Sequence, residues 1–192
     1  MMYIDTLRKE RKIMKKKVLR ILLTLLIIAW MGLIFFFSSQ TGPASASSSH
    51  SVLYLLGHIS KSLTGHDLVA ALSPAAFGFL EFIIRKCAHM FAYFILSILT
   101  MSLLFTYKKY PIRFKACISL LISFLYACSD ELHQFFVGGR SASFKDVLID
   151  STGACIGILL AIIIYIIIIT TDKISGMNPP CKGMSLCESF DY

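Results

Sequence analysis

Apolar residues fill four long segments of the chain, and polar or charged residues collect between them. The apolar segments run approximately over residues 18–37, 88–106, 113–132 and 147–169. About 20 apolar residues in a helix cross the roughly 30 Å hydrocarbon layer of a bilayer. Because backbone polar groups in lipid must be satisfied within the segment, each segment is predicted to be a helix. The pattern predicts an all-α integral membrane protein with a bundle of about four transmembrane helices.

Two of the four segments have an alternative interpretation. The segment 18–37 follows a basic stretch and precedes Ala44-Ser45-Ala46, as a cleaved signal peptide would. The apolar part of a signal peptide is only about 7 to 15 residues long, so we expect this segment to remain as an anchor. The third segment is uninterrupted only from Ala116 to Cys128, so a re-entrant segment is the alternative to a full crossing there.

Composition agrees with a membrane protein, and charge adds an orientation. Of the 192 residues 56% are hydrophobic and 16% charged, and most of the 19 Lys and Arg residues lie in 1–20, 108–115 and 170–192. Lys and Arg are retained on the cytoplasmic side of short loops. We therefore expect both termini to be cytoplasmic, with a basic arm (1–17), a membrane domain (18–169) and a tail (170–192). Topology and anionic lipid head groups explain the basic arm, so no nucleic-acid partner is expected.

The segment 38–85 is predicted to be an outward-facing loop. Its Ser-rich tract, residues 45–51, is small and polar, and we interpret it as a flexible linker. Residues 52–62 and 72–82 have apolar residues at helical spacing and are expected to lie in the membrane interface or to dip partly inward. Three histidines of this segment are interpreted as residues of the loop surface: His50, His58 and His66.

Polar residues that could bind a ligand or take part in catalysis collect at the helix ends that this topology places outside. Glu81, Arg85, His89 and Tyr93 recur at four-residue spacing and therefore share one helix face. Charged residues beside lipid are rarely left without a partner or a task. The predicted binding residues are Gln40, Arg85, Lys86, His89, Tyr93, Asp130, Glu131, His133, Gln134, Arg140, Asp146 and Asp150.

Three interpretations of these residues stay open. In the first, Arg85 or Arg140 pairs with the carboxylates and only ties the helix ends together. In the second, the basic residues bind a phosphate or carboxylate, because a guanidinium group contacts such anions with two hydrogen bonds. In the third, the residues form a metal or acid/base site, and the candidate ligands or proton carriers are His89, Asp130, Glu131 and His133. No metal-binding motif with fixed spacing is present, so neither a metal nor a cofactor is expected.

Small residues suggest a helix contact in the last segment. Gly153 and Gly157 lie one turn apart on one face, which lets another helix approach closely. Packing within the chain is one interpretation and a homo-oligomer is the other. The six Cys residues show neither a disulfide framework nor zinc-binding spacing.

In their order along the chain, these motifs resemble the VanZ-like family. The resemblance spans about residues 20–169 and rests on the following residues: Phe37-Ser38-Ser39-Gln40, Arg85-Lys86, Ala88-His89, Tyr93, Asp130-Glu131, His133-Gln134, Gly139-Arg140, Asp146-Val147, Asp150 and Gly153. The family often has Pro before the Gly-Arg pair and Asn at the position of Asp150. Here Val137-Gly138 and Asp150 differ from that pattern.

The resemblance implies a multi-pass protein of the bacterial cell membrane, and the namesake of the family is associated with resistance to the lipoglycopeptide teicoplanin. It implies no settled reaction. Our hypothesis is that the outer polar residues bind a lipid-linked or lipidated envelope amphiphile and so lower susceptibility to lipoglycopeptides, without catalysis. An intramembrane enzyme that acts on an envelope lipid is the alternative, and a small transporter subunit is the third reading.

Overall fold

Five helices make up the fold. The structure is a computed structural model that describes residues 2–138 and 143–177. In these ranges it contains no strand, and its helices are α1 (Met2–Ser38), α2 (Gly42–Thr64), α3 (Pro74–Phe105), α4 (Ile112–Phe135) and α5 (Phe144–Met177). All except α2 are long and apolar enough to cross a membrane. The all-α fold with four membrane-spanning helices is confirmed, and the cytoplasmic location of the termini stays a prediction.

The first and third membrane segments are uninterrupted helices. α1 continues from the basic arm to Ser38 without a break, and α4 has 24 residues. At about 1.5 Å of rise per residue, α4 is about 36 Å long, which is enough to cross the hydrocarbon layer. The structure therefore favours a full crossing by α4 over a re-entrant segment.

The interpretation of residues 45–51 as a flexible linker is wrong, because these residues form the first turns of α2. Pro43 lies in the first turn, where its fixed φ and missing N–H suit a helix start. Ser hydroxyls here bond to the carbonyl of the preceding turn, as Ser49 Oγ does to Ser45 O (3.2 Å). Small side chains then let α2 pack on α3. The buried face of α2 consists of Ser45, Ser49, Leu53 and Gly57.

The segment 38–85, predicted to be an outward-facing loop, contains α2 and the first turns of α3. Helix α2 ends at Thr64 and is capped by Gly65, whose φ of +77° favours glycine, and α3 begins at Pro74. The Ser73 hydroxyl accepts a hydrogen bond from the backbone N–H of Ala76 and caps the helix. Residues 74–85, expected to lie in the loop, are therefore the first turns of α3.

Helix α3 lies at the centre and packs against each of the other four helices. Its contact with α5 is close, because Gly153 and Gly157 of α5 face its backbone. A Cβ atom at Gly153 would overlap the carbonyl oxygen of Met90, and one at Gly157 would overlap that of Phe94. The two glycines thus serve packing within the chain, and a homo-oligomer through them stays a prediction.

The buried face of α4 is polar along almost its whole length. Its buried residues are Lys115, Ser119, Ser123, Ala127, Asp130, Glu131 and Gln134. Its large apolar side chains, such as Leu121 and Leu125, are exposed on the opposite side. In water this arrangement would be unfavourable, but in a bilayer the exposed side faces lipid and the polar groups face the bundle interior.

Thiol labelling tests the orientation of the bundle. Phe136 follows α4 at one end, and Lys109 lies between α3 and α4 at the other, both exposed. In a background without native Cys, we expect a membrane-impermeant maleimide to label Phe136→Cys in intact cells. Lys109→Cys should be labelled only after the membrane is opened. The reverse pattern would place the termini outside the cell.

Candidate functional site

Polar residues from the four membrane-spanning helices meet at one end of the bundle. Gln134 of α4 donates a hydrogen bond to the hydroxyl of Ser38, the last residue of α1 (2.8 Å). Lys86 of α3 forms an ion pair with Asp146 of α5 (Nζ to Oδ2, 2.5 Å). The structure therefore brings together polar residues that lie up to about a hundred positions apart in the sequence.

Four carboxyl groups form an acid cluster at this end, defined as Asp130 and Glu131 of α4 with Asp146 and Asp150 of α5. Asp130 and Asp150 are each only 2% exposed, and Glu131 is also buried. Glu131 Oε2 accepts a hydrogen bond from the backbone N–H of Ser143 (2.9 Å), which joins α4 to the start of α5. Buried carboxylates are costly unless a cation, a proton or hydrogen-bond donors neutralise them.

The described residues only partly compensate the negative charge and the hydrogen-bonding groups of the acid cluster. Gln134 Nε2 donates to Asp130 Oδ2 (3.0 Å), but Asp130 Oδ1 is buried without a hydrogen-bond partner there. The buried hydroxyl of Tyr93 also lacks a partner in these ranges. Among the described basic residues, only Lys86 forms an ion pair with the cluster. The predicted site residue Arg140 lies outside the described residues.

A second polar group joins α2 to α3. Glu81 contacts His50 with one carboxylate oxygen (3.1 Å) and Arg85 with the other (3.4 Å). His50 was expected on a loop surface, but α2 carries it to Glu81. The contact of His50 was not predicted, because residues 45–51 were interpreted as a linker. The helical spacing of Ser45, Ser49 and Leu53 could have indicated the helix.

An amphipathic groove of about 320 Å³ lies between α1, α2 and α3. Its apolar walls include Trp30, Leu33, Phe37, Val52, Ile84 and Phe91, and its polar lining includes Gln40, Ser45, Ser48, Ser49, Arg85 and His89. The Trp30 indole N–H donates to the carbonyl of Ala92 (2.9 Å) and joins α1 to α3 in the deeper part of the groove. Along α1, Trp30 lies about 12 Å from Ser38, so the apolar wall extends well below the polar end.

The predicted site residues therefore divide between two places. Gln40, Arg85 and His89 line the groove. The residues Lys86, Tyr93, Asp130, Glu131, Gln134, Asp146 and Asp150 form or adjoin the acid cluster. The ring of His133 packs at a tilt against Phe35 of α1, with ring centroids 4.4 Å apart, and its buried Nε2 has no partner in the described ranges. Within those ranges, no group of three or more His, Cys, Asp or Glu side chains is arranged to hold a metal ion.

Comparison with known proteins agrees with the resemblance seen in the motifs. The family model VanZ/LLP1 matches residues 23–165, which reach from α1 into α5 and include the groove and the acid cluster. No curated protein and no solved structure matches the chain. Because the family match covers most of the chain and four helices can span a membrane, this chain belongs to the VanZ/LLP1 family of multi-pass membrane proteins.

Proposed function

We propose that this chain binds a lipidated or lipid-linked amphiphile of the bacterial envelope in the groove between α1, α2 and α3. Binding of this kind would lower susceptibility to lipoglycopeptides such as teicoplanin, in line with the association of the family's namesake. The observation that carries the proposal is the amphipathic lining of the groove, which has an apolar wall and a polar end with Arg85, His89 and Gln40.

The size and opening of the groove support entry of a lipid chain. Small-molecule sites typically measure about 300 to 1,000 Å³, so the groove lies at the lower end of that range. Two of its wall residues, Phe37 and Phe91, are more than half exposed at the surface of the bundle. An acyl chain could therefore enter sideways from the bilayer and lie against these rings. Burial of each CH₂ group would contribute about 0.8 kcal/mol relative to water.

Arg85 is the residue that we assign to the head group. Its side chain is 31% exposed and remains accessible beside the groove, while Glu81 holds one side of the guanidinium group. His50 contacts the other oxygen of Glu81 and fixes that carboxylate in turn. A guanidinium group positioned in this way can still bind a phosphate or carboxylate with its remaining donors.

The antibiotic susceptibility of cells that express the wild-type chain or a variant with a filled groove tests the proposal. In a susceptible Gram-positive host, we expect the wild-type chain to raise the inhibitory concentration of teicoplanin severalfold and to leave that of vancomycin unchanged, because only teicoplanin carries an acyl chain. Leu33→Trp would fill the groove and Arg85→Gln would remove the head-group contact, so both should abolish the effect. Ile28→Trp is the matched control, because Ile28 is exposed on α1 outside the groove. Equal protection by all variants at matched membrane levels would refute the proposal.

An intramembrane enzyme acting on an envelope lipid is the second candidate function. The observation that favours it is the set of buried polar atoms without partners among the described residues, which includes His133 Nε2 and Asp130 Oδ1. Catalytic groups often gain their hydrogen bonds only when substrate is bound. If this reading holds, His133→Ala will abolish turnover of an envelope lipid by the purified chain and leave binding intact. A purified chain that binds lipid extract and releases no product would exclude it.

A further inference from the structure

Asp130 of α4 and Asp150 of α5 are two buried carboxyl groups whose charge is little compensated by the described residues. Asp130 and Asp150 interact electrostatically, and each is almost fully removed from solvent. Lys86 forms its ion pair with Asp146 and not with either of them. Two carboxylates in one buried site cannot both stay ionised without a counter-charge, because their repulsion adds to the desolvation cost.

Unpartnered oxygens at the same place are the second, independent observation. The hydroxyl of Tyr93, a residue with no solvent exposure, has no hydrogen-bond partner in the described ranges, and neither has Asp130 Oδ1. Tyr93 interacts electrostatically with both Asp130 and Asp150, which places its hydroxyl in the neighbourhood of the two carboxyl groups. Since buried polar atoms in native proteins nearly always have partners, these oxygens indicate a group that completes them.

We propose that Asp130, Asp150 and Tyr93 bind one small monovalent cation, Na⁺ or a proton, in the interior of the bundle. Carboxylate and hydroxyl oxygens are hard ligands that suit a hard cation. We assign a single positive charge, because one bound charge relieves the repulsion between two carboxylates that share a buried site. The site does not depend on the proposed amphiphile, since none of its three residues lines the groove.

Charged and titratable groups on the neighbouring helices set the local field. Helix α1 contributes the uncharged Ser38, which contacts the site through Gln134. The groups that interact with Tyr93 and the two aspartates are Lys86 of α3, Tyr126 and Glu131 of α4, and Asp146 of α5. Lys86 is the one cation in this described set, so the described groups together carry a net negative charge, which favours a bound positive charge.

Thermal unfolding of the purified full chain in detergent tests the site, followed by the fluorescence of its one tryptophan, Trp30. In Na⁺-free choline buffer, we expect the unfolding temperature to fall as the pH rises from mildly acidic to mildly alkaline values, because the neutralising proton leaves. At alkaline pH, replacement of choline by Na⁺ at equal ionic strength should restore the unfolding temperature if Na⁺ is the ligand. If the unfolding temperature falls as the pH rises and Na⁺ does not restore it, the bound cation is a proton.

Variants without the charge separate a cation site from a structural role of the carboxyl groups. Asp130→Asn and Asp150→Asn keep the side-chain shape and should lose the dependence on both pH and Na⁺, with unfolding temperatures above that of the wild type in alkaline choline buffer. Glu10→Gln removes an exposed carboxylate on α1 and should keep the wild-type dependence. Tyr93→Phe removes only the hydroxyl and should shift the response to higher Na⁺ concentration or lower pH. A wild-type unfolding temperature that is indifferent to both ions, or Asn variants that respond as the wild type does, would overturn the proposal.

Discussion

Gly153→Ala is expected to destabilise the folded chain strongly, although it adds a single methyl group. That methyl would overlap the backbone carbonyl of Met90, and backbone cannot rotate away as a flexible side chain can. Overpacking of this kind typically costs about 1 to 3 kcal/mol, and we expect the upper part of that range. The displaced α5 would also carry Asp146 away from Lys86 of α3, so the ion pair of the acid cluster would be disrupted together with the helix contact.

Unfolding of the purified protein by SDS in mixed micelles measures this loss. Gly32→Ala is the matched control, because Gly32 lies in a membrane-spanning helix and a Cβ there meets no atom within 4 Å. The control should be neutral or slightly stabilising, since Ala favours a helix more than Gly does. Equal effects of the two substitutions would contradict the close contact between α3 and α5. If the loss of stability in Gly153→Ala grows as the protein is diluted in detergent, the result would instead indicate a homo-oligomer through Gly153 and Gly157.

Lys86→Met is expected to produce the second large loss of stability. It removes the cation that pairs with Asp146 and leaves four carboxyl groups together. Removal of one partner of a fully buried ion pair costs about 3 to 5 kcal/mol. Because the two side chains are 24% and 19% exposed, we expect a smaller loss of about 1 to 3 kcal/mol.

A double variant distinguishes the loss of the ion pair from the loss of packing by the lysine stem. Lys86→Met/Asp146→Asn removes both charges and should recover most of the stability in the same SDS titration. Lys108→Met replaces an exposed lysine between α3 and α4 and should have little effect. If the double variant is as unstable as Lys86→Met alone, the loss of stability does not come from the ion pair with Asp146.

Local sequence patterns predict contacts only where both partners lie on one helix. Arg85 and Glu81 are four residues apart on α3, so their pairing follows from helical spacing. The pairing of Lys86 with Asp146 could not be inferred in this way, because it depends on how α3 and α5 are rotated about their axes. The contact of His50 with Glu81 was missed for another reason: serine has only moderate helix propensity, and packing on α3 outweighed it.

The sequence by itself determined the number of membrane-spanning helices, the polar character of one end of the bundle and the membership of the VanZ/LLP1 family. These features are local, since a run of apolar residues long enough to cross lipid is visible without any knowledge of its neighbours. Only the tertiary structure decided that the polar residues divide between a groove and an acid cluster. That division depends on helix rotation and separation, which hydropathy does not set; between α3 and α5 they are set by close packing at Gly153 and Gly157.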